Sequence, residues 1–357
     1  MMSLSTPMPV QDGTLAYAYG RPRIIAGFKQ VPEDFQVEEE LGFGPSGKGE
    51  HLFVQVRKTA LTSKDVLERL SQYFQVSQTN IGYAGMKDKQ GVCSQWFSIC
   101  LPGRLTPDLL GLNAAGLEVL AHGLNHRKLR QGTHKANHFS IRLRGVHDPD
   151  HELEQRLHWI SQKGVPNYYG EQRFGRSGEN LSRARALFEG RLKCSRYQRG
   201  ILLSAARAAI FNRILDARVA AANWQTWLPG DVLNLQGSRS VFASGEQDDG
   251  FTLRLEQGDI HVTGALWGRG EPASSFQAGE LERAVASELL DLCRGLEAFG
   301  LQQDRRSLCL PVQGLECSTE SNADLILRFS LPPGGYATAV LRELFQYRQD
   351  TEQEATM

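Results

Sequence analysis

Residues 83–96, YAGMKDKQGVCSQW, hold one carboxylate, Asp88, between Lys87 and Lys89, in a segment punctuated by Gly85 and Gly91. An opposite charge close to a carboxylate favours its ionised form. An ionised carboxylate is also a nucleophile that needs no partner base to activate it. Taken alone, an aspartate in a glycine-rich turn is most often a turn former, so its surroundings must decide. The runs Asn80–Ala84 and Val92–Ile99 alternate apolar and β-favouring residues on either side. Asp88 is therefore predicted at a strand end, where flanking β-structure can aim it into a cleft.

The elements that must hold such an acid belong to a chain of 357 residues, longer than one hydrophobic core normally serves, so two structural units are expected. Apolar residues make up 41% and charged residues 22%, with no apolar run long enough to span a bilayer. The start, MMSLSTPMPVQDGTLAYAYG, lacks the basic and apolar regions of a signal peptide, which points to the cytoplasm. The six cysteines are scattered without a C-x-x-C pair, so neither a zinc site nor a disulfide framework is predicted, and mostly buried thiols are expected. Net charge is zero, yet from Ala121 to Val146 there is no acid among Arg127, Lys128, Arg130, Lys135, Arg142 and Arg144. Acids gather instead at Glu33, Asp34, Glu38, Glu39 and Glu40 and in the tail at Asp350, Glu352 and Glu354. That distribution fits either a solvated loop and strand edge or a basic face for phosphates.

Strands are read in FQVEEELGF, EHLFVQVRK and NHFSIRLRG, and a helix from Thr62, where Thr62 and Asp65 have capping-box spacing. A further helix covers about 150–162. After VPNYYGEQRFG the chain becomes helix-rich, notably over Ile201–Ala222 and from about Glu280 to Phe299, before strands return in ADLILRFSL and a helix starts near Tyr336. A strand-rich start and end around a helical middle suggests an insertion into one parent fold. GFGPSGKGEH nearly matches a phosphate-binding loop, but Gly49 follows the lysine and a strand follows the loop, so a hairpin loop is the better reading. No G-x-S-x-G elbow supports a hydrolase, and His51, at a likely strand start, suits a structural role.

The acid segment resembles the signature of the TruD family of tRNA pseudouridine synthases through Gly85, Lys87, Asp88, Lys89, Val92, Gln95 and Phe97. It departs at Gly91, where alanine is usual, and at Cys93, where threonine is usual. Four further segments resemble the family in order: VPEDFQVEE, KANHF, NYYGEQRFG and LPPGGYATAVLREL. The resemblance implies an α+β fold. A catalytic domain with a mixed, largely antiparallel sheet and flanking helices would span residues 1–162 and 310–357, with an inserted α/β TRUD domain at 163–309.

The resemblance also implies the chemistry. Asp88 would be the catalytic nucleophile and Lys29 its partner. Phe35 would contact the target base, Asn137 and Phe139 would line the pocket, and Tyr336, where phenylalanine is common, would lie against the substrate. Lys87, Lys89, Arg127, Lys128, Arg130 and Lys135 would face the RNA backbone. Uridine 13 in the D arm of tRNA would be isomerised with no cofactor and no metal, by a monomer with no obligate protein partner and no membrane attachment. The competing reading is a non-catalytic RNA-binding or tRNA-folding protein that retains the cleft.

Overall fold

A computed structural model describes residues 15–103, 108–175, 178–238, 240–320 and 323–348. The tail acids Asp350, Glu352 and Glu354 lie outside the described residues, as does the start of the chain up to residue 14. Two compact units emerge. Of the described residues, one unit combines those within Arg21–Val165 with those from Leu310 to Arg348, and the other combines those within Pro166–Cys309 with Leu15–Gly20.

The first unit is built on a ten-stranded sheet. Its elements in chain order are β1 (Ile25–Phe28), β2 (Phe35–Glu40), β3 (His51–Thr59), α1 (Ser63–Phe74), β4 (Ile81–Tyr83), β5 (Val92–Cys100), β6 (Leu117–Asn125), β7 (Ala136–His147) and α2 (Leu153–Lys163). The strands Gln313–Thr319, Leu325–Leu331 and Gln346–Arg348 and the helix Ala337–Leu344 complete it. From one edge the order runs Gln313–Thr319, Leu325–Leu331, β7, β2, β5, β3, β6. β2 runs parallel to β5, β1 runs parallel to Gln346–Arg348, and the other pairs are antiparallel. The fold is thus α+β with a mixed, largely antiparallel sheet.

Strand periodicity decides what faces inward. On β3, Leu52, Val54, Val56 and Lys58 are buried, and on β2 Phe35, Val37 and Glu39 are. Successive side chains alternate faces, so a lysine and a glutamate are carried into the protein in phase with the apolar positions. α1 starts at Thr62, whose hydroxyl accepts from the Asp65 N–H while the Asp65 carboxylate accepts from the Thr62 N–H. The helix buries Val66, Leu70 and Phe74 against Leu52, Val54, Phe97 and Ile99, each burial contributing roughly 1.5–3 kcal/mol. The Gly42–Gly49 loop is not a hairpin: β2 and β3 are separated by β5 in the sheet. A strand, β3, follows it, with no helix to receive a phosphate.

The inserted unit packs helices on a four-stranded antiparallel sheet, ordered Val241–Ala243, Val232–Leu235, Ile260–Leu266, Asp304–Ser307. Its long helix, Arg196–Ala220, opens with a capping box from Ser195 and Gln198 and buries the i, i+4 row Leu202, Ala206, Ile210 and Ile214. The helical stretch expected from Glu280 to Phe299 is two helices, Phe276–Glu288 and Leu290–Ala298. Leu15–Gly20 fall with the inserted unit and not, as expected, with the catalytic domain. Ala16 N–H donates to Asp216 at 2.7 Å, Tyr168 donates to the Ala16 carbonyl, and Leu15, Ala16 and Ala18 pack near Leu215, Val219 and Trp224. Burial of these small apolar residues decides the assignment, and no periodic pattern announces it in the sequence. Among the described residues no helix is long and apolar enough to cross a membrane.

Candidate active site

The loop between β4 and β5 carries Asp88, and nearly every residue around the acid is tied down. Gln95, inward-facing on β5, donates to the Gly85 carbonyl, and its own carbonyl accepts from Ser63 Oγ at 2.8 Å. Ser63 Oγ in turn accepts from Lys87 N–H at 2.9 Å. Lys58 Nζ donates to the Asp88 and Leu61 carbonyls. Burial pushes the Lys58 ammonium below its usual pKa, and Cys93 and Asp88 oppose that shift. The loop is held from three elements, the preorganisation that catalysis rewards.

Lys29 Nζ lies 3.1 Å from Asp88 Oδ2 and 3.8 Å from the centroid of the Phe35 ring. Its side chain is 7% exposed and that of Asp88 27%, so this is a sheltered ion pair with one open side. Two features of the chain bring Lys29 there. β1 and β2 share one edge of β7, pairing Phe28 with Leu143 and Phe35 with Ile141, and the residues between them must leave the sheet. Lys29 makes the departure with φ +55°, a conformation uncommon outside glycine. Buried Asp34 then clamps the excursion by accepting from Gln30 N–H, Val31 N–H and the Arg144 guanidinium. Burial opposes ionisation of Asp34, but these hydrogen bonds and the Arg144 charge hold its carboxyl below the usual range.

Lys87 does not face outward as expected. Its side chain is 6% exposed, with Nζ 2.6 Å from Glu39 Oε2 and 2.7 Å from Asn137 Oδ1. The reason is the pairing of Glu39 with Asn137 across β2 and β7, which sets a buried carboxylate beside a carboxamide oxygen, and the Lys87 ammonium donates to both and balances the buried charge. Glu39 Oε1 accepts from Trp96 N–H at 3.0 Å, and Asn137 Nδ2 lies 3.1 Å from His134 Nε2. Burial, with the Lys87 charge, lowers the His134 pKa to about 4, so the imidazole is neutral at pH 7.

Phe28, Phe35, Phe139 and Phe329 form a row beside Lys29. Phe35 and Phe139 have centroids 6.0 Å apart, and Phe139 stacks on Phe329 at 5.2 Å. Phe35 and Phe139 are buried in that row, so they form the floor of the site and not free-standing stacking plates. Tyr336 is half-buried ahead of the helix Ala337–Leu344. It follows the strand Leu325–Leu331, whose Leu331 pairs with Asn137, so it sits at the Asn137 end of the sheet. Gly91 lets β2 come close: a Cβ there would lie 2.6 Å from the Phe35 carbonyl. Cys93 is buried with Sγ 3.8 Å from the Asp88 carbonyl.

The β6–β7 connection runs beside the acid loop, with Gly132 N–H donating to the Ala84 carbonyl at 2.7 Å and Leu129 N–H to Ser98 Oγ at 2.9 Å. Arg127, Lys128 and Arg130 are exposed on it, and Lys89 is exposed on the acid loop itself. Lys135 is exposed but paired with Glu40 at 2.8 Å. Arg142 and Arg144 leave the expected basic set, since they pair with Glu320 and Asp34. Sequence reasoning missed Lys58, Glu39, Ser63, His134 and Asp34. The strand phase of Lys58 and Glu39 was the available signal for those two.

The chain matches the family model described as tRNA pseudouridine synthase D (TruD) over residues 11–193 and 181–344. It is 43% identical over 332 residues to the tRNA pseudouridine synthase D of Aeromonas hydrophila, covering 93% of this chain and 94% of that one. It is 40% identical over 343 residues to that of Hydrogenovibrio crunogenus, covering 96% and 99%. In fold it is similar to the crystal structure of a putative tRNA pseudouridine synthase D from Methanosarcina mazei, with a TM-score of 0.68, 21% identity and coverage of 92% and 95%. With these matches spanning almost its whole length, the chain belongs to the TruD family of tRNA pseudouridine synthases.

Proposed function

We propose that this chain isomerises uridine 13 in the D arm of tRNA to pseudouridine, with Asp88 as nucleophile and without a cofactor. Family membership supports the reaction class, and the Lys29–Asp88 pair at 3.1 Å carries the assignment of the acid. The reaction is internally balanced. The N1–C1′ bond breaks, the base turns, C5 bonds to C1′, C5 loses its proton and N1 gains one. No electrons leave the substrate, so an ionised carboxylate in a dry, shaped site suffices.

Lys29 donates to Oδ2, which leaves Oδ1 open toward the substrate; the bond a nucleophilic Asp88 forms with the substrate breaks again before pseudouridine is released. The target base must leave its stack, at a cost of a few kcal/mol. Stacking on an aromatic face returns roughly 1–3 kcal/mol, a role for half-buried Tyr336 at the Asn137 end of the sheet. Asn137 reads the uracil edge. Lys89, Arg127, Lys128 and Arg130 meet tRNA phosphates, with Lys135 beside them, and the enzyme works as a monomer in the cytoplasm.

Pseudouridine mapping of RNA from cells lacking the protein tests the reading. Loss of the tRNA position 13 signal is expected, and an unchanged map would overturn it. Replacing Lys128 and Arg130 together by alanine is expected to weaken tRNA binding and to lower the slope of log K against log salt by about 2, roughly 1 per phosphate contact. Titrations at two salt concentrations check this, and parallel lines for variant and parent would remove these residues from the RNA face.

A further inference from the structure

The reading of Asn137 as the residue at the uracil edge depends on which way its carboxamide points, and three neighbours bear on that. An ammonium has only donors, so Lys87 Nζ at 2.7 Å must face the amide oxygen. Lys87 cannot turn away, because Glu39 Oε2 lies 2.6 Å from it and Glu39 is held by Trp96 N–H. Nδ2 therefore faces His134 Nε2 at 3.1 Å, and that nitrogen must accept. The remaining imidazole proton is then on Nδ1. Each end of the carboxamide keeps one unused position: a lone pair on Oδ1 and one N–H on Nδ2.

We propose that Glu39, Lys87 and His134 are positioning residues that lock the Asn137 carboxamide in one orientation and thereby set the preference for uracil over cytosine. The proposal rests on the pseudouridine synthase reading above. A uracil edge offers the N3–H donor beside a carbonyl acceptor, which matches a fixed acceptor and donor on Asn137. Cytosine offers the reverse, an N3 acceptor beside an amino donor, and in the pose that uracil takes it would fit the same carboxamide only if the carboxamide flipped. Flipping would set the amide N–H groups against the Lys87 ammonium, a donor facing a donor in a buried site. Lys87 thus acts by forbidding the alternative as much as by favouring the native state. The position of Lys87 next to Asp88 couples the lock to the loop that carries the acid.

The test uses the Asp88→Asn protein, expected to be too slow to convert the transcript during a binding measurement, and tRNA transcripts carrying uridine or cytidine at the target position. The parent is expected to bind the uridine transcript at least about tenfold more tightly, the discrimination that one bidentate edge contact supplies. Adding Lys87→Met should bring the two affinities within about twofold. The double replacement Glu39→Gln with Lys87→Met removes both buried charges together and serves if the single variant fails to fold. An unchanged ratio, or equal losses for both transcripts, would overturn the proposal, as would a parent with no preference. A separate measurement needs no variant: nitrogen chemical shifts of the wild-type imidazole should show His134 neutral with its proton on Nδ1. Finding the proton on Nε2 would contradict the lock. If the wild-type protein forms pseudouridine while either measurement fails, the lock alone is wrong. If it forms none, the functional reading has failed.

Discussion

Asp88→Asn is expected to lower the rate of pseudouridine formation by about 10^4-fold or more, the scale on which removal of a nucleophile acts. The substitution keeps shape and removes the negative charge, so the loop stays where Gln95, Ser63 and Lys58 hold it. tRNA affinity should change by only a few-fold, because phosphate contacts dominate binding. Lys29, 7% exposed, loses its counter-charge and keeps its position over Phe35, which should cost about 1–3 kcal/mol of stability. Single-turnover assays and denaturant unfolding separate the two effects. A rate within tenfold of wild type would show that another group does the chemistry.

Lys29→Met is the second large effect, about 10^2- to 10^3-fold on kcat, as for the loss of one charged group next to the reacting centre in other enzymes. KM should stay within a few-fold, because Lys29 is buried against Asp88 and the Phe28 and Phe35 rings. Lys29→Arg should restore little. With Nζ only 3.8 Å from the Phe35 centroid, the wider guanidinium has no room to reach Oδ2 in the same pose. A rise in KM with kcat unchanged would reassign Lys29 to binding.

Much of the parent fold was legible because it follows period-2 alternation. FQVEEE, HLFVQVRK and NHFSIRLRG are strands, and Thr62 with Asp65 starts a helix as its capping spacing predicts. Long-range pairing was not legible. The Gly42–Gly49 loop crosses to a non-adjacent strand because β5, coming later in the chain, inserts between β2 and β3. Leu15–Gly20 join the inserted unit through tertiary burial, without a local signature.

The fate of individual charges is hidden from the sequence for the same reason. Lys87 and Arg144 look like RNA contacts in a one-dimensional reading, yet each is drawn inward or neutralised by an acid far away in sequence, Glu39 and Asp34. Asp34, one of the clustered acids of the VPEDFQVEE segment, is a buried clamp on the turn that presents Lys29. What the sequence did carry was the phase of β2 and β3, from which buried Glu39 and Lys58 follow before any partner is known.

The central claim, that Asp88 in this pocket converts a tRNA uridine unaided, is tested most directly by one incubation. An unmodified tRNA transcript is mixed with purified protein in chelator-containing buffer without added cofactor, and pseudouridine is mapped at single-nucleotide resolution beside an Asp88→Asn control. The account predicts one pseudouridine, at position 13, with wild-type protein and none with the control. Equal conversion by both proteins, or none by the wild type, would contradict it.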